Sequence, residues 1–122
     1  MSTHPINHTL RFLLELSALF SMGYWGWTQH EGIMRLVWMF ALTAIAVILW
    51  GTLAVPDDPS RSGKAPIPTP GFLRLFLELA IFALGVWCFF LVGQPTWGWI
   101  LGILVVMHYV TSYDRILWLL KQ

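Results

Sequence analysis

The chain has 122 residues, of which 57% are hydrophobic and only 11% charged, with a formal net charge of +1 and a mean hydropathy of +0.69. A soluble domain carries roughly 25% charged residues, so water is a poor solvent for this chain, whose length allows a single domain. Its few Lys and Arg residues are scattered near the edges of apolar blocks. No basic stripe exists to neutralise a phosphate backbone, which excludes nucleic acid as a partner.

The first apolar block runs from about Pro5 to Trp27. Pro5 suits the first turn of a helix, where a missing N–H costs nothing, and Thr28-Gln29-His30-Glu31-Gly32 ends the block. The block continues past Trp27 without an A-x-A cleavage site, so it is expected to stay in the mature protein. The second block runs from about Ile33 to Val55, and its stretch from Leu36 to Val55 holds 20 residues without a charge.

Residues 56–70 follow, a segment with five of the seven prolines that cannot continue a helix. A third block, about Gly71 to Val92, opens after the cap-like Thr69-Pro70 pair. Gly93-Gln94-Pro95 then connects it to a fourth block, about Trp97 to Leu120. Each block matches the length of about 20 residues that crosses a hydrocarbon core, and in lipid a helix satisfies its own backbone where an open strand does not. The expected fold is an all-α membrane protein with four transmembrane helices, at about 5–27, 33–55, 71–92 and 97–120.

Arg11, Arg61, Lys64, Arg74, Arg115 and Lys121 fall at one face of such a bundle and Arg35 at the other. Because basic residues are retained on the cytoplasmic side, both termini and the 56–70 loop are expected there. Trp25, Trp27, Trp38, Trp97 and Trp99 gather at the opposite boundary, where indoles favour the headgroup layer.

Leu10-Arg11-Phe12-Leu13-Leu14-Glu15-Leu16-Ser17 aligns without a gap on Leu73-Arg74-Leu75-Phe76-Leu77-Glu78-Leu79-Ala80. A one-residue shift then matches Gly23-Tyr24-Trp25 to Gly85-Val86-Trp87. The pattern reads as a duplicated two-helix hairpin, both copies in parallel orientation about an axis along the membrane normal.

The opening helix, Leu10 to Leu16 followed by Gly23-Tyr24-Trp25-Gly26-Trp27, resembles the signature of the YrdB-like family of small bacterial membrane proteins. The Trp50-Gly51-Thr52 to Pro56 turn, the Arg- and Pro-containing loop and the Leu77-Glu78-Leu79 helix extend the likeness over nearly the whole chain. The resemblance implies a multi-pass protein of the bacterial cytoplasmic membrane. It brings no substrate, cofactor or catalytic residue, because the family is itself of unknown function.

Arg11 and Glu15 stand four apart on one helical face, and Arg74 and Glu78 repeat the arrangement in the other copy. With Asp114 and Arg115 from the fourth block, three acids and three bases are expected in one layer near the cytoplasmic face. Paired and neutral, such a layer fixes helix register and depth. Alternatively, Glu15 and Glu78 form a pair on the pseudo-twofold axis that exchanges a proton or cation.

His108 lies near the middle of the fourth block, with Thr111 and Ser112 at the spacing of one inward face. It is six residues from Asp114, so the two do not form a local dyad. Gly98 and Gly102 form a small-xxx-small motif that lets helices approach. His4 and His8 have a spacing that can share a metal, but terminal fraying argues against a site there. Cys88, the single cysteine, cannot form an intrachain disulfide and is read as packing.

No Gly-rich phosphate loop, H-E-x-x-H helix or G-x-S-x-G elbow occurs, so no catalytic residue, metal or cofactor is assigned. The expected function is a small oligomeric transporter or channel-like unit, a dimer in the simplest case, with a polar layer of Glu15, Glu78, His108 and Asp114. The alternative is a non-catalytic scaffold or accessory subunit whose Arg-Glu pairs are structural and whose 56–70 loop meets a protein partner. A membrane enzyme acting on a lipid or quinone stays open, and would need a pocket the sequence does not reveal.

Overall fold

The computed structural model describes residues 5–56, 58 and 65–122. Within them the helices are α1 (Pro5–Gln29), α2 (Ile33–Thr52), α3 (Gly71–Leu91), α4 (Pro95–Thr111) and α5 (Tyr113–Leu120). Between α2 and α3, β1 (Leu53–Ala54) and β2 (Ile67–Pro68) pair in parallel, Leu53 opposite Ile67 and Ala54 opposite Pro68. The Thr69 amide adds a 2.8 Å hydrogen bond to the Ala54 carbonyl.

The turns between helices use glycine where the backbone turns left-handed. Gly32 (φ 66°) precedes α2 and Gly93 (φ 77°) follows α3, a region that costs an L side chain steric strain. Pro95 occupies the first turn of α4, where its missing N–H removes nothing.

Two expected boundaries change. The second helix stops at Thr52 rather than Val55, because the chain turns there into β1. The fourth block is not one helix over 97–120: it breaks at Ser112, and α4 and α5 meet at 70°. Ser112 (φ −108°, ψ 31°) leaves the helical region while its amide still bonds the His108 carbonyl at 2.9 Å. Its own carbonyl then accepts the Arg115 amide at 2.9 Å and so starts α5.

Helix α1 packs against α2 and α3, α3 against α4, and α5 folds back on α3. The main core joins Leu14, Ala18, Phe82, Phe89, Leu101, Val105 and Tyr109. A smaller cluster joins Met22, Ala46 and Cys88, so the cysteine is a packing residue as read. Helices α1 and α3 run in the same direction: Arg11 meets Glu78 near their starts, and Ala18 meets Gly85 further along. The β1–β2 pair and α5 therefore share one end of the bundle, and the α1–α2 and α3–α4 turns the other.

Most of the remaining apolar surface faces outward. Phe20, Phe40, Ile48, Phe76, Trp87 and Val106 are exposed, and α2 buries only Ala46 among its described residues. A helix that is apolar on every side needs apolar surroundings. Helices α2 and α3 are each long and apolar enough to cross a membrane, and the bent α4–α5 pair makes a third if counted as one span.

Candidate functional site: a buried ion network

The most concentrated polar chemistry lies at the end shared by the helix starts, α5 and the loop. Asn7, Arg11 and Glu15 recur every fourth residue and so share one stripe of α1. Arg74 and Glu78 do the same on α3, while α5 contributes Arg115 and the loop contributes Asp58.

Glu78 is the centre. Its side chain is 0% exposed, and both carboxylate oxygens accept from Arg115, Oε1 at 3.0 Å and Oε2 at 3.3 Å from Nη2. Arg11 Nη2 also donates to Oε1, while Arg74 Nε stands 3.9 Å from Oε2, an ion-pair distance. Arg115 then reaches past Glu78 to Asp58 in a bidentate pair, Nη1–Oδ1 2.7 Å and Nη2–Oδ2 3.0 Å. Such fork-to-fork geometry is the strongest an Arg and a carboxylate form.

Arg11 Nε reaches Glu15 Oε1 at 3.1 Å. Among the described residues three guanidiniums thus face three carboxylates, Glu15, Glu78 and Asp58, and their charges balance. Neutrality decides whether it is tolerated, because an unpaired buried charge is far more costly than a paired one.

Arg74 has a second task. Its Nη1 donates to the Trp50 carbonyl at 2.6 Å and the Leu53 carbonyl at 2.7 Å, which satisfies the open C-terminal end of α2. The Trp50 ring lies between the two helices' arginines, 5.4 Å from Arg11 and 4.8 Å from Arg74. The stacked cations and the capped carbonyls tie α2 to α1 and α3 at the level of the network.

The expected residues are brought together in part. Glu15 and Glu78 do not meet directly: Arg11 lies between them and bonds both. Glu15 keeps a quarter of its side chain exposed and lines an apolar groove of about 240 Å3 with Phe12, Leu19, Val47, Trp50 and Ile81. Asp114 is an exposed residue of the first turn of α5 and does not supply the third acid. Adjacent helical residues point about 100° apart, so turning Arg115 inward turns Asp114 out. Asp58 takes that place.

His108 is buried, and its Nδ1 lies 2.6 Å from Asn7 Oδ1, while Asn7 Nδ2 donates to Ser112 Oγ at 2.7 Å. Ser112 faces inward as expected, whereas Thr111 is at the surface with its hydroxyl bonded to the His108 carbonyl. Gly98 sits under the Phe90 ring within the α3–α4 hairpin, and Gly102 has only ordinary contact with Val86. The closest helix approaches lie instead at Gly85, Gly26 and Gly71, where an added Cβ would meet Ala18, Trp38 and Leu119.

At the other end Arg35 stacks on Trp27 at 4.2 Å and His30 on Trp38 at 5.5 Å. Arg61, Lys64 and His4 lie outside the described residues. Among the described residues no three His, Cys, Asp or Glu side chains gather as metal ligands. Asn7 and Asp58 were not singled out from sequence, and Trp50 only as part of the turn that carries the family likeness. Asn7 carried a signal, standing four residues before Arg11 on the same stripe, whereas nothing local distinguishes Asp58 from its neighbours.

A family profile described as a protein of unknown function (DUF2568) matches residues 9–106. The uncharacterized protein YrdB of Bacillus subtilis (strain 168) is 39% identical over 116 residues, which cover 95% of this chain and 94% of that one. No solved structure matches.

Proposed function

The chain belongs to the DUF2568 family of proteins of unknown function, and from its geometry we propose that it is a four-span membrane scaffold or accessory subunit. Its buried ion network fastens the 53–70 connection and α5 to one end of the bundle. The observation that carries this reading is Glu78, fully buried and engaged by three arginines. Three guanidiniums around one buried carboxylate suit an anchor better than a site for a transported proton or cation. Such an anchor fixes register and depth, the best-attested use of buried charge.

In this reading α1 is the span that composition alone understates. Its 25 residues extend about 37 Å at 1.5 Å each, enough for a hydrocarbon core, with Arg11 and Glu15 near one boundary. Helix α4 is the fourth span, and α5 turns to lie along the interface. The distribution of the basic residues supports a cytoplasmic location of both termini and the loop in a bacterial cell. There the loop offers a partner-binding surface, and a second copy of the chain can cover α2. The Arg-Glu pairs of α1 and α3 support descent from a duplicated hairpin.

The test replaces Glu78 with Gln, which keeps shape and removes charge, and measures thermal stability in detergent beside proton and cation flux in liposomes. Lost stability with no flux in either protein is expected. Flux in the wild type that vanishes in the variant would reject the scaffold.

A second reading rests on Glu15. Its partly exposed carboxylate lines the groove between α1, α2 and α3, which suits a small transporter or channel-like unit. Wild-type flux lost in Glu15→Gln without a change in melting supports it.

A further inference from the structure

Three polar side chains on α1 and α4, Arg11, His108 and Tyr109, are more than nine-tenths buried and incompletely bonded. Arg11 Nη1, His108 Nε2 and Tyr109 Oη have no hydrogen-bond partner among the described residues, although Arg11 is 7% exposed, His108 2% and Tyr109 6%. Native interiors rarely leave such groups open. Three in one region point to a guest.

The placement is specific. Helix α4 runs antiparallel to α1, and Asn7 of α1 touches both His108 and Ser112 of α4. Arg11 is one turn further along the same stripe of α1, opposite the deeper side of His108 and Tyr109. The two rings are 5.1 Å apart.

The hydrogen-bond chemistry also fixes what the guest must offer. Asn7 Nδ2 donates to Ser112, so Asn7 Oδ1 is an acceptor, and His108 Nδ1 must carry the proton it receives. In that tautomer of the neutral ring, Nε2 is left with a lone pair that can accept. Arg11 Nη1 can only donate, whereas the Tyr109 hydroxyl can do either. A guest that serves all three must donate to a nitrogen and accept from a guanidinium, and it must be small.

We propose that Arg11, His108 and Tyr109 hold ordered water between α1 and α4. One or two molecules donate to His108 Nε2, accept from Arg11 Nη1 and bond Tyr109 Oη. The water joins Ser112–Asn7–His108 to the Glu78 network. A single hydrogen-bonded seam then runs from the α4–α5 break to the centre of the charge cluster. Three polar partners are what a buried water needs. This site stands whether the protein is a scaffold or a transporter, since it rests on bonding within the bundle and not on flux.

The first measurement is the sign of one melting shift. Tyr109→Phe deletes a hydroxyl and nothing else. If water bonds it, the variant melts several degrees lower; if the region is dry, removing an unsatisfied hydroxyl raises the melting temperature, which overturns the proposal. The second uses wild-type protein in bilayers with 15N-labelled histidine, His108 being assigned from a His108→Gln sample. Magnetisation transfer from water to the His108 ring and a hydrogen-bonded Nε2 shift are expected. An Nε2 shift typical of an unbonded imine nitrogen, with no transfer, would overturn the site even if no Tyr109 variant folds.

Discussion

Arg115 and Asp58, 57 residues apart, close a bidentate ion pair that anchors the connection between α2 and α3 onto α5. Both side chains are almost fully buried, 3% and 2% exposed, so water cannot substitute for either partner. Asp58→Ala leaves Arg115 with Glu78 alone and the network one charge positive. Breaking a buried pair costs about 3–5 kcal/mol. The expected outcome is a lower melting temperature together with faster tryptic cleavage at Arg61 and Lys64. A variant that melts like the wild type and resists trypsin equally would show that the pair does not hold the loop.

Helix α5 also depends on a contact made by backbone alone. A Cβ built on Gly71 would collide with the Leu119 carbonyl, whereas one on Gly102 meets nothing nearer than Val86 at 3.7 Å. Gly71→Ala must therefore push α5 away from the start of α3, and Gly102→Ala need not move anything. Loss of more than about 2 kcal/mol is expected for the first, and a change within about 0.5 kcal/mol for the second. Equal melting temperatures for the two variants would contradict the packing of α5 on α3.

Much of this end was legible in the sequence, for a local reason. Arg11–Glu15 and Arg74–Glu78 are four-residue pairs, so helical geometry alone placed each on one face, and Arg115 was already assigned to the same layer. Asp58 was not legible because its partner is 57 residues away and no periodicity governs a loop. The break at Ser112 was hidden too: the block is apolar on both sides of it, and the side chain that Ser112 meets there, Asn7, lies on another helix. Glycine spacing shows that a helix can be approached, not which neighbour approaches: the Phe90 ring lies close over Gly98, whereas Gly102 meets only Val86 at ordinary distance.

Arg74 is the residue whose replacement separates charge from shape. Its Nη1 bonds two carbonyls at the end of α2 while Nε faces Glu78 and the guanidinium stacks on Trp50. Lysine retains the charge but presents a single ammonium without the planar fork, so it cannot serve all three. Arg74→Lys is expected to lower stability by about 1–2 kcal/mol. Hydrogen exchange should locate the damage in the last turn of α2 and in β1. Exchange altered only near Glu78 would mean that the carbonyl contacts contribute nothing.

The number of membrane crossings decides how the rest of the molecule is read, and α4 is the critical helix. At 17 residues it extends about 26 Å, slightly less than a hydrocarbon core of about 30 Å. The 70° turn at Ser112 then directs α5 across the bundle end instead of onward through lipid. Helix α5 brings Arg115 to the network and is capped by Lys121. If α4 crosses, Gln94 and Gln122 lie on opposite sides. With the native Cys88 replaced by Ala, single cysteines at Gln94, Ile67 and Gln122 can be labelled on intact cells by a membrane-impermeant maleimide. Gln94→Cys should react at once, and Ile67→Cys and Gln122→Cys only after permeabilisation. Simultaneous reaction at 94 and 122 in intact cells would make α4–α5 a re-entrant element and remove the cytoplasmic position of the carboxyl terminus.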